Sequence, residues 1–318
     1  MDPLDEVFAA MRVEQALHAR LEATAPWGLH TRRIDGTTRF GLMLRGRAWL
    51  SMDGAEPVQL AEGDCFFIPQ GAAYTLQDEL SSPTINCVDA VRNSVDGVVV
   101  IGDKDEGGRN EKDRATVLSG WFHVDPHGAR PLFELLPPLL HVRMDDARTR
   151  VLQSSLQLLA LETSQPGLGS GLIVSRLADI LFAQAVRAHV QSLATDGATG
   201  WLAALADHKI GATLRLVHRD LAAGWTVESM AVAAGMSRSA FAQRFRDKVG
   251  RPPLDYLAHW RMFRAQGMLR HSEQALAAIA TVVGYESEAA FNKAFKRRTG
   301  VSPGRYRRQA KQVVAEAS

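Results

Sequence analysis

The stretch GMSRSAFAQRFRDKVGRPPLDY at residues 235–256 recurs in modified form as GYESEAAFNKAFKRRTGVSPGRY at residues 284–306. Six residue types repeat at one spacing of fifty positions: Ser237 and Ser287, Phe241 and Phe291, Phe245 and Phe295, Gly250 and Gly300, Pro253 and Pro303, Tyr256 and Tyr306. An internal period of this length indicates a structural unit that occurs twice. The carboxyl-terminal part of the chain is therefore predicted to contain two copies of one motif.

Each copy has the sequence pattern of two short helices joined by a tight turn. In the first copy Thr226 can cap a helix that Gly235 ends, because glycine adopts positive φ at little cost. Ser237 can cap the next helix, on which Phe241 and Phe245 face the same side. The pattern predicts helix-turn-helix motifs at about residues 226–246 and 275–297. The second helix of such a motif can enter the major groove of DNA, whereas a helical bundle without a DNA role is the alternative.

The charge of the chain is divided along its length. The 318 residues carry a net charge of +2, but residues 201–318 contain 19 Lys and Arg against 9 Asp and Glu, a net of +10. The preceding residues carry a net of −8. A basic carboxyl-terminal third fits a polyanionic partner, because neutralised phosphates release counterions. A solvated basic face with no partner is the alternative.

The second copy also follows a longer signature, Ala278-Ile279-Ala280-x3-Gly284-Tyr285-x-Ser287-x3-Phe291-x3-Phe295-Lys296-x3-Gly300-x-Ser302-Pro303-x2-Tyr306-Arg307. On these residues, the segment 226–308 resembles the DNA-binding domain of the AraC/XylS transcription regulators. The resemblance implies two reading helices bridged by a long helix. They would enter successive major grooves of double-stranded DNA, about 34 Å apart on one face.

Helix geometry nominates the side chains that would contact DNA. With the phenylalanines facing inward, the opposite faces carry Ser239, Gln243 and Arg246 in the first reading helix and Ala289, Asn292, Lys293 and Lys296 in the second, with Glu288 near the edge. Gln and Asn can bind adenine with two hydrogen bonds, while Arg and Lys suit guanine or phosphate. Further arginines are predicted phosphate contacts or surface charges: Arg238, Arg244, Arg297, Arg298, Arg305 and Arg307. Each residue could instead be a solvated polar side chain.

The amino-terminal part of the chain has the pattern of a β-rich domain. Apolar residues alternate in several short runs between residues 38 and 78, separated by Gly and Pro turns, which is typical of a barrel or sandwich. The spacing Gly63-x5-Pro69-x-Gly71-x2-Tyr74 is similar to the second motif of the cupin jelly roll. The predicted fold class is α+β, with a cupin-like β-barrel or jelly roll and following helices, then an all-α domain with two helix-turn-helix motifs.

The histidines of a cupin metal centre are missing. Cupins bind metal through a His-x-His pair with a carboxylate, and through a histidine of the second motif, where this chain has Tyr74. The first-motif region, residues 36–54, contains no histidine. A phenol and aliphatic groups cannot replace imidazoles around a divalent metal. We therefore expect no metal, no cofactor and no enzyme activity.

A barrel without metal could hold a small effector or be filled by core residues. Trp27, Trp49 and Tyr74 are candidate lining residues, although an aromatic residue here is more often core. Related cupin-type regulators include some that respond to oxidants through cysteines, so Cys65 and Cys87 are candidate redox sensors. The alternative is that both are inert buried thiols.

After the β-rich segment, the spacing of the apolar residues changes from strand-like alternation to helical periodicity. Residues 103–119 read as a loop, and residues 146–190 as two amphipathic helices that could pair across a homodimer or cover the barrel. The predicted organisation is a cupin-like sensor and dimerisation domain at 1–192, a linker at 193–204 and an AraC-type DNA-binding domain at 205–310.

The sequence favours a cytoplasmic, sequence-specific transcription regulator that responds to a small molecule or an oxidant. It lacks the basic and apolar regions of a signal peptide and any apolar run long enough to span a membrane. Its partners would be promoter or operator DNA, a second copy, the effector and, for an activator, RNA polymerase. The rival interpretations are a cupin enzyme fused to a DNA-targeting domain and a non-specific nucleic-acid-binding protein.

Overall fold

A computed structural model describes residues 3–11, 13–95, 97–102, 113–143, 154–155, 157–159, 161–162, 165, 167–195 and 199–317. The chain forms two compact units. The strand-rich unit consists of Met11–His189, and the helical unit consists of Val190–Ser318 together with Met1–Ala10. The predicted α+β fold class with a cupin domain and a helical domain is confirmed.

Eleven strands are described in the strand-rich unit: β1 Val13–Thr24, β2 Gly28–Thr31, β3 Thr37–Arg45, β4 Ala48–Ser51, β5 Val58–Leu60, β6 Cys65–Ile68, β7 Tyr74–Gln77, β8 Ile85–Asn86, β9 Val98–Ile101, β10 Arg114–Val124 and β11 Leu140–Val142. They form a six-stranded sheet in the order β11-β6-β3-β10-β1-β9 and a five-stranded sheet in the order β5-β4-β7-β2-β8. Helix α1 (Pro3–Met11) precedes the strands, while α2 (Cys87–Arg92) and α3 (Pro126–Phe133) lie between them.

One core of the strand-rich unit is built from side chains of both sheets. Leu21 and Met43 of the larger sheet belong to the same buried cluster as Leu50 and Leu76 of the smaller one. Because side chains alternate along a strand, the residues that share a face with Met43 on β3 are Gly41 and Arg39. A Cβ at position 41 would collide with the ring of Phe66, so this strand needs a glycine at that position.

Strand β10 overturns part of one expectation. Residues 103–119 were expected to form a loop, but Arg114–Val124 is an 11-residue strand that pairs with both β1 and β3. The loop prediction was therefore wrong for residues 114–119, and residues 103–112 lie outside the described part of the chain. The error arose because the two pairings join residues between 71 and 111 positions apart, which leaves no local signal.

From residue 167 onward, the described residues form nine helices, the first of which begins in the strand-rich unit: α4 Ser170–Thr195, α5 Trp201–Ala206, α6 His208–Arg219, α7 Val227–Ala233, α8 Arg238–Val249, α9 Pro253–His271, α10 Leu276–Val282, α11 Glu288–Thr299 and α12 Pro303–Ala317. The predicted linker at 193–204 thus includes the end of α4 and the start of α5. Within the described residues no helix is long and apolar enough to cross a membrane. Before α4, the described residues between 154 and 162 are helical.

Candidate functional site

The two reading helices begin and end in the same way. Ser237 accepts a hydrogen bond from the backbone N–H of Ala240 at the start of α8, and Ser287 accepts one from Ala290 at the start of α11. Both helices end at glycines in the left-handed region, Gly250 at φ 84° and Gly300 at φ 80°. The side chain of a serine N-cap satisfies a backbone donor that has no partner within the helix. The repeated residues of the sequence are therefore the residues that set the helix boundaries.

The helix before the first reading helix begins at a side-chain cap, whereas α10, before the second, begins at Ala275 without one. Thr226 and Ser229 form a reciprocal capping box at the start of α7, with Thr226 Oγ1 accepting from the backbone N–H of Ser229 at 3.0 Å. Gly235 and Gly284 occupy the turns with φ of 60° and 80°. The turn between the helices therefore has the geometry that the sequence predicted.

The phenylalanines of both reading helices are buried, so the opposite faces are open to solvent. Phe241 and Phe245 of α8 and Phe291 and Phe295 of α11 are at most 1% exposed. All but one of the nominated DNA contacts are exposed, the exception being the half-buried Asn292: Arg238, Ser239, Gln243, Arg246, Glu288, Ala289, Lys293 and Lys296. These nine residues, Asn292 included, are called the reading surface below.

Some side chains near the reading surface are held by protein groups. Gln243 donates a hydrogen bond to Asp247 at 2.8 Å, and Arg238 lies 3.9 Å from the carboxylate of Glu228 with both side chains exposed. Arg244 Nη2 donates to Asp207 at 2.8 Å. Burial alone would raise the pKa of Asp207, but the hydrogen bonds from Ile210 and Arg244 lower it. Arg244 therefore anchors α8 to the start of α6.

Two other arginines that the sequence offered as phosphate contacts bind protein oxygens. Arg298 donates to Asp255 on α9 at 3.0 Å, and Arg307 donates to the carbonyl of Gln274 at 2.6 Å. Arg298 thus connects the second reading helix to α9, and Arg307 connects α12 to the residues before α10. These contacts give both side chains a role in holding the second motif together.

Helix α9 lies between the two motifs and packs against both. Its Tyr256 ring lies 5.5 Å from the ring of Phe245 in the first motif. Met262 and Leu269, further along α9, belong to the buried cluster that contains Phe291 and Phe295 of the second. Arg261 donates to the carbonyls of Leu221 and Ala223, each at 2.8 Å. A single rigid helix therefore fixes the spacing between the two reading helices.

Two of the three aromatic residues that the sequence suggests as effector contacts lie in the interior of the strand-rich unit. Trp27 and Tyr74 belong to its buried core, whereas Trp49 is half-buried and alternates on β4 with the core residue Leu50. Trp49 therefore points to the opposite face of its strand. Trp27 and Tyr74 remain candidates for effector contact.

The two cysteines have different surroundings. Cys65 is buried, and burial with the nearby charge of Asp64 raises its pKa to about 12. Cys87 begins α2, is half-buried, and packs at the edge of the core. A thiol that stays protonated is a poor nucleophile, so Cys65 is the weaker redox candidate.

Arg39 is a buried cation that the sequence analysis missed. Its side chain shares the interior face of β3 with Gly41 and is 6% exposed. Burial lowers the pKa of its guanidinium, as does the charge of Arg32, whereas Tyr74 and Cys87 raise it. Within the described residues, Nε and Nη2 of Arg39 have no hydrogen-bond partner. Alternation along β3 could have indicated this position, because Met43 and Gly41 share its face.

The described residues contain no group of three or more His, Cys, Asp and Glu side chains that could hold a metal ion. The histidine at 141 instead pairs with one acid: His141 Nε2 lies 3.0 Å from Asp64 Oδ2. The same carboxylate oxygen accepts a hydrogen bond from the backbone N–H of Ala61 at 3.0 Å. This pair closes a turn next to β6.

Two helix-turn-helix motifs with serine-capped reading helices and one shared bridging helix, in a chain that also carries a strand-rich unit, define a DNA-binding transcription regulator. The family model described as "Cupin" matches residues 2–191, and the model described as "Helix-turn-helix domain" matches residues 230–309. The chain belongs to the AraC-type family of transcription regulators with a cupin domain at the amino-terminal side, which confirms the resemblance stated above.

Relatives match over nearly the whole chain. A putative AraC-like transcription regulator of Streptomyces antibioticus is 34% identical over 97% of this chain and 99% of its own length. The HTH-type transcriptional regulator AlkR of Acinetobacter baylyi is 31% identical over 98% of this chain and 100% of its own. Among solved structures, the DNA-binding domain of the transcriptional factor AdpA in complex with a target DNA is 30% identical, covering 33% of this chain and 96% of that one, with a TM-score of 0.33.

Proposed function

We propose that this regulator binds specific operator sequences through the reading surface and that its strand-rich unit senses a small-molecule or chemical signal. The observation that carries the proposal is the exposure of the reading surface on two helices whose opposite faces are buried. Gln243 and Asn292 would contact base edges, and Arg246, Lys293 and Lys296 would bind guanine or phosphate. Regulation then requires only that the signal change the free energy of the DNA-binding state by a few kcal/mol, which is about the usual size of such couplings.

The buried cation Arg39 supports a signal that carries a negative group. A guanidinium with two buried, unpartnered nitrogens is stabilised by a carboxylate or phosphate, which accepts two parallel hydrogen bonds from it. Tyr74, on the same interior, would complete the contact. Isothermal titration of the full chain with a panel of small organic acids, repeated with Arg39→Met, tests this site without DNA. Equal binding by the variant would exclude Arg39 as the anchor.

An oxidant is the second candidate signal, and Cys87 is its better-placed target. Cys87 is half-buried, whereas Cys65 is fully buried, so an oxidant can reach the thiol of Cys87 more easily. Oxidant-dependent DNA binding should be lost in Cys87→Ser and kept in Cys65→Ser. An unchanged response in both variants would end the oxidant hypothesis.

We propose a homodimer as the DNA-binding form. Exposed apolar side chains occur in the described helical residues before α4 and in the first half of α4: Leu158, Leu161, Leu172, Ile173 and Ile180. Exposed leucine and isoleucine on successive helices favour a protein partner, and a second copy of this chain is the partner that paired operator sites would recruit. An activator would also contact RNA polymerase, and the chain would work in the cytoplasm, where the chromosome is.

Genome-wide footprinting of the tagged chain, with and without candidate signals, tests the proposed function. We expect discrete sites that bind roughly a thousandfold more tightly than random duplex. Similar affinity for every duplex would instead identify a non-specific nucleic-acid-binding protein.

The other rival, an enzyme fused to a DNA-targeting domain, would be supported by stoichiometric metal in the purified protein. Without the histidines of a cupin metal centre we propose that the chain has no catalytic role.

A further inference from the structure

The first helix of the chain contains a buried carboxylate. Glu6 of α1 is 6% exposed, and the neighbouring Val7 is fully buried. Residues 1–10 form one compact unit with residues 190–318, although the whole strand-rich unit separates them in the sequence. A nine-residue helix is marginal in water by itself, and a buried charge is costly unless it is paired. The position of α1 therefore depends on what Glu6 binds.

Both carboxylate oxygens of Glu6 bind side chains of the helical unit. Oε1 accepts a hydrogen bond from Arg264 Nε on α9 at 2.8 Å. Oε2 lies 2.8 Å from His218 Nδ1 on α6. A carboxylate that bridges an arginine and a histidine on two different helices fixes the angle between them as well as their distance. Glu6 thus joins α1, α6 and α9 at one point.

The hydrogen bonds continue from Glu6 to the start of α5. Trp201 Nε1 donates to Tyr256 Oη at 2.8 Å, and Tyr256 Oη lies 2.7 Å from His218 Nε2. Tryptophan can only donate, so Trp201 occupies an acceptor position on Tyr256 Oη. His218 then links that hydroxyl to the carboxylate of Glu6 through its two ring nitrogens.

We propose that α1 is a working part of the DNA-reading unit and that Glu6 is a positioning residue for DNA binding. Helix α9 sets the spacing of the two reading helices, and Arg264 and Tyr256 of this series both lie on it. The chain passes from α1 into β1 and returns through α4, so the strand-rich unit is joined to the reading unit at both of its ends. A conformational change in β1 could therefore reach α9 through α1 and Glu6, without passing through the linker at residues 193–204.

The test compares Glu6→Gln with Asp5→Asn in the full chain. Both variants remove one negative charge from the same helix, but Asp5 is exposed. The DNA probes are the duplex that the wild-type chain selects from a random pool and a scrambled duplex of the same length. We expect Glu6→Gln to bind the selected duplex at least tenfold more weakly and the scrambled duplex unchanged, because non-specific binding depends on charge at the surface. Asp5→Asn should stay within twofold on both.

Several outcomes would overturn the proposal. A folded Glu6→Gln variant that binds the selected duplex like wild type removes the positioning role. Equal weakening on both duplexes indicates a smaller folded fraction, which also contradicts it. Hydrogen exchange of the wild-type chain needs no variant: amides of α1 should be protected like those of α6 and α9, and exchange at unfolded rates would refute the attachment. If Glu6→Gln does not fold, Arg264→Gln keeps the His218 bond and should show the same selective loss. A wild-type chain that selects no duplex counts against the proposed function instead.

Discussion

The two reading helices carry different side chains at equivalent positions. With the repeat spacing of fifty, the equivalent pairs are Arg238 and Glu288, Ser239 and Ala289, Ala242 and Asn292, Gln243 and Lys293, Arg246 and Lys296. The first pair has opposite charges, and the pair of Gln243 and Lys293 prefers different bases. Two modules with one backbone but different exposed side chains should therefore prefer unlike sequences. We infer that the site bound by one chain is not a direct repeat.

Replacing Gln243 with Ala should relax the base preference of the first module. A side chain that makes two hydrogen bonds to one base contributes about 1–3 kcal/mol of discrimination against the wrong base. Lys296→Ala is the matched control, because loss of a phosphate contact should weaken binding to all sequences and reduce the salt slope by about one. Binding titrations on the selected duplex and its single-base variants measure both. A uniform loss in Gln243→Ala would show that Gln243 does not read a base.

Cys65 should resist thiol reagents at neutral pH. Its pKa of about 12 lies far above physiological pH, so the thiolate that reacts is scarce. Alkylation of Cys65 in the folded Cys87→Ser variant should therefore be slow and should accelerate only when urea unfolds the chain. The reciprocal variant, Cys65→Ser, reports the reactivity of Cys87 under the same conditions. Rapid modification of Cys65 in the folded protein at pH 7 would contradict the burial of that side chain.

At the scale of helices and strands, local signals were sufficient where the structure is local. Thr226 and Gly235 predicted the start and end of α7, and Ser237 predicted the start of α8, because caps and left-handed glycines act on their nearest neighbours. The pairing of β1 with β10 could not be found in this way, since its partners are distant in sequence. The same limit applies to the candidate sites. The outward face of α8 follows from helical periodicity, but the burial of Arg39 depends on the packing of two sheets whose strands are distant in sequence.

Two glycines that end helices should respond differently to substitution by alanine. Gly250 and Gly284 have similar φ values of 84° and 80°. A Cβ at Gly250 meets no atom within 4 Å, whereas one at Gly284 would lie 2.7 Å from the carbonyl oxygen of Ala222. Gly250→Ala should cost roughly 1–2 kcal/mol from the left-handed conformation alone. Gly284→Ala should cost at least about 1 kcal/mol more, because backbone must move. Urea unfolding measures the two free energies, and equal losses would contradict the close approach.

For the whole molecule, the series that contains Glu6 predicts how acid acts on the helical unit. Burial alone would raise the pKa of Glu6, but the hydrogen bonds and charges of His218 and Arg264 lower it below its usual 4.5. A lowered carboxylate pKa contributes stability above pH 4.5 that is lost as pH falls through the folded-state value. The difference in unfolding free energy between wild type and Glu6→Gln should therefore shrink as the pH falls below about 4.5. A difference that grows on acidification would mean that the Glu6 pKa is raised.

The net positive charge of residues 201–318 favours DNA as the partner of the helical unit. If the chain binds paired operator sites as a dimer, a surface that does not bind DNA must join the two copies. Ile173 and Ile180 lie two helical turns apart on one face of α4 and are 43% and 45% exposed. Replacing both with Lys should yield a monomer in sedimentation experiments and abolish cooperative binding to paired sites, while affinity for a single site stays unchanged. The double variant Leu80→Lys with Val95→Lys is the control, because it adds the same charges at exposed apolar positions outside α4. A wild-type chain that sediments as a monomer even when bound to paired sites would refute the dimer. Loss of single-site binding in the Ile173 and Ile180 double variant would mean that this face of α4 supports the fold instead.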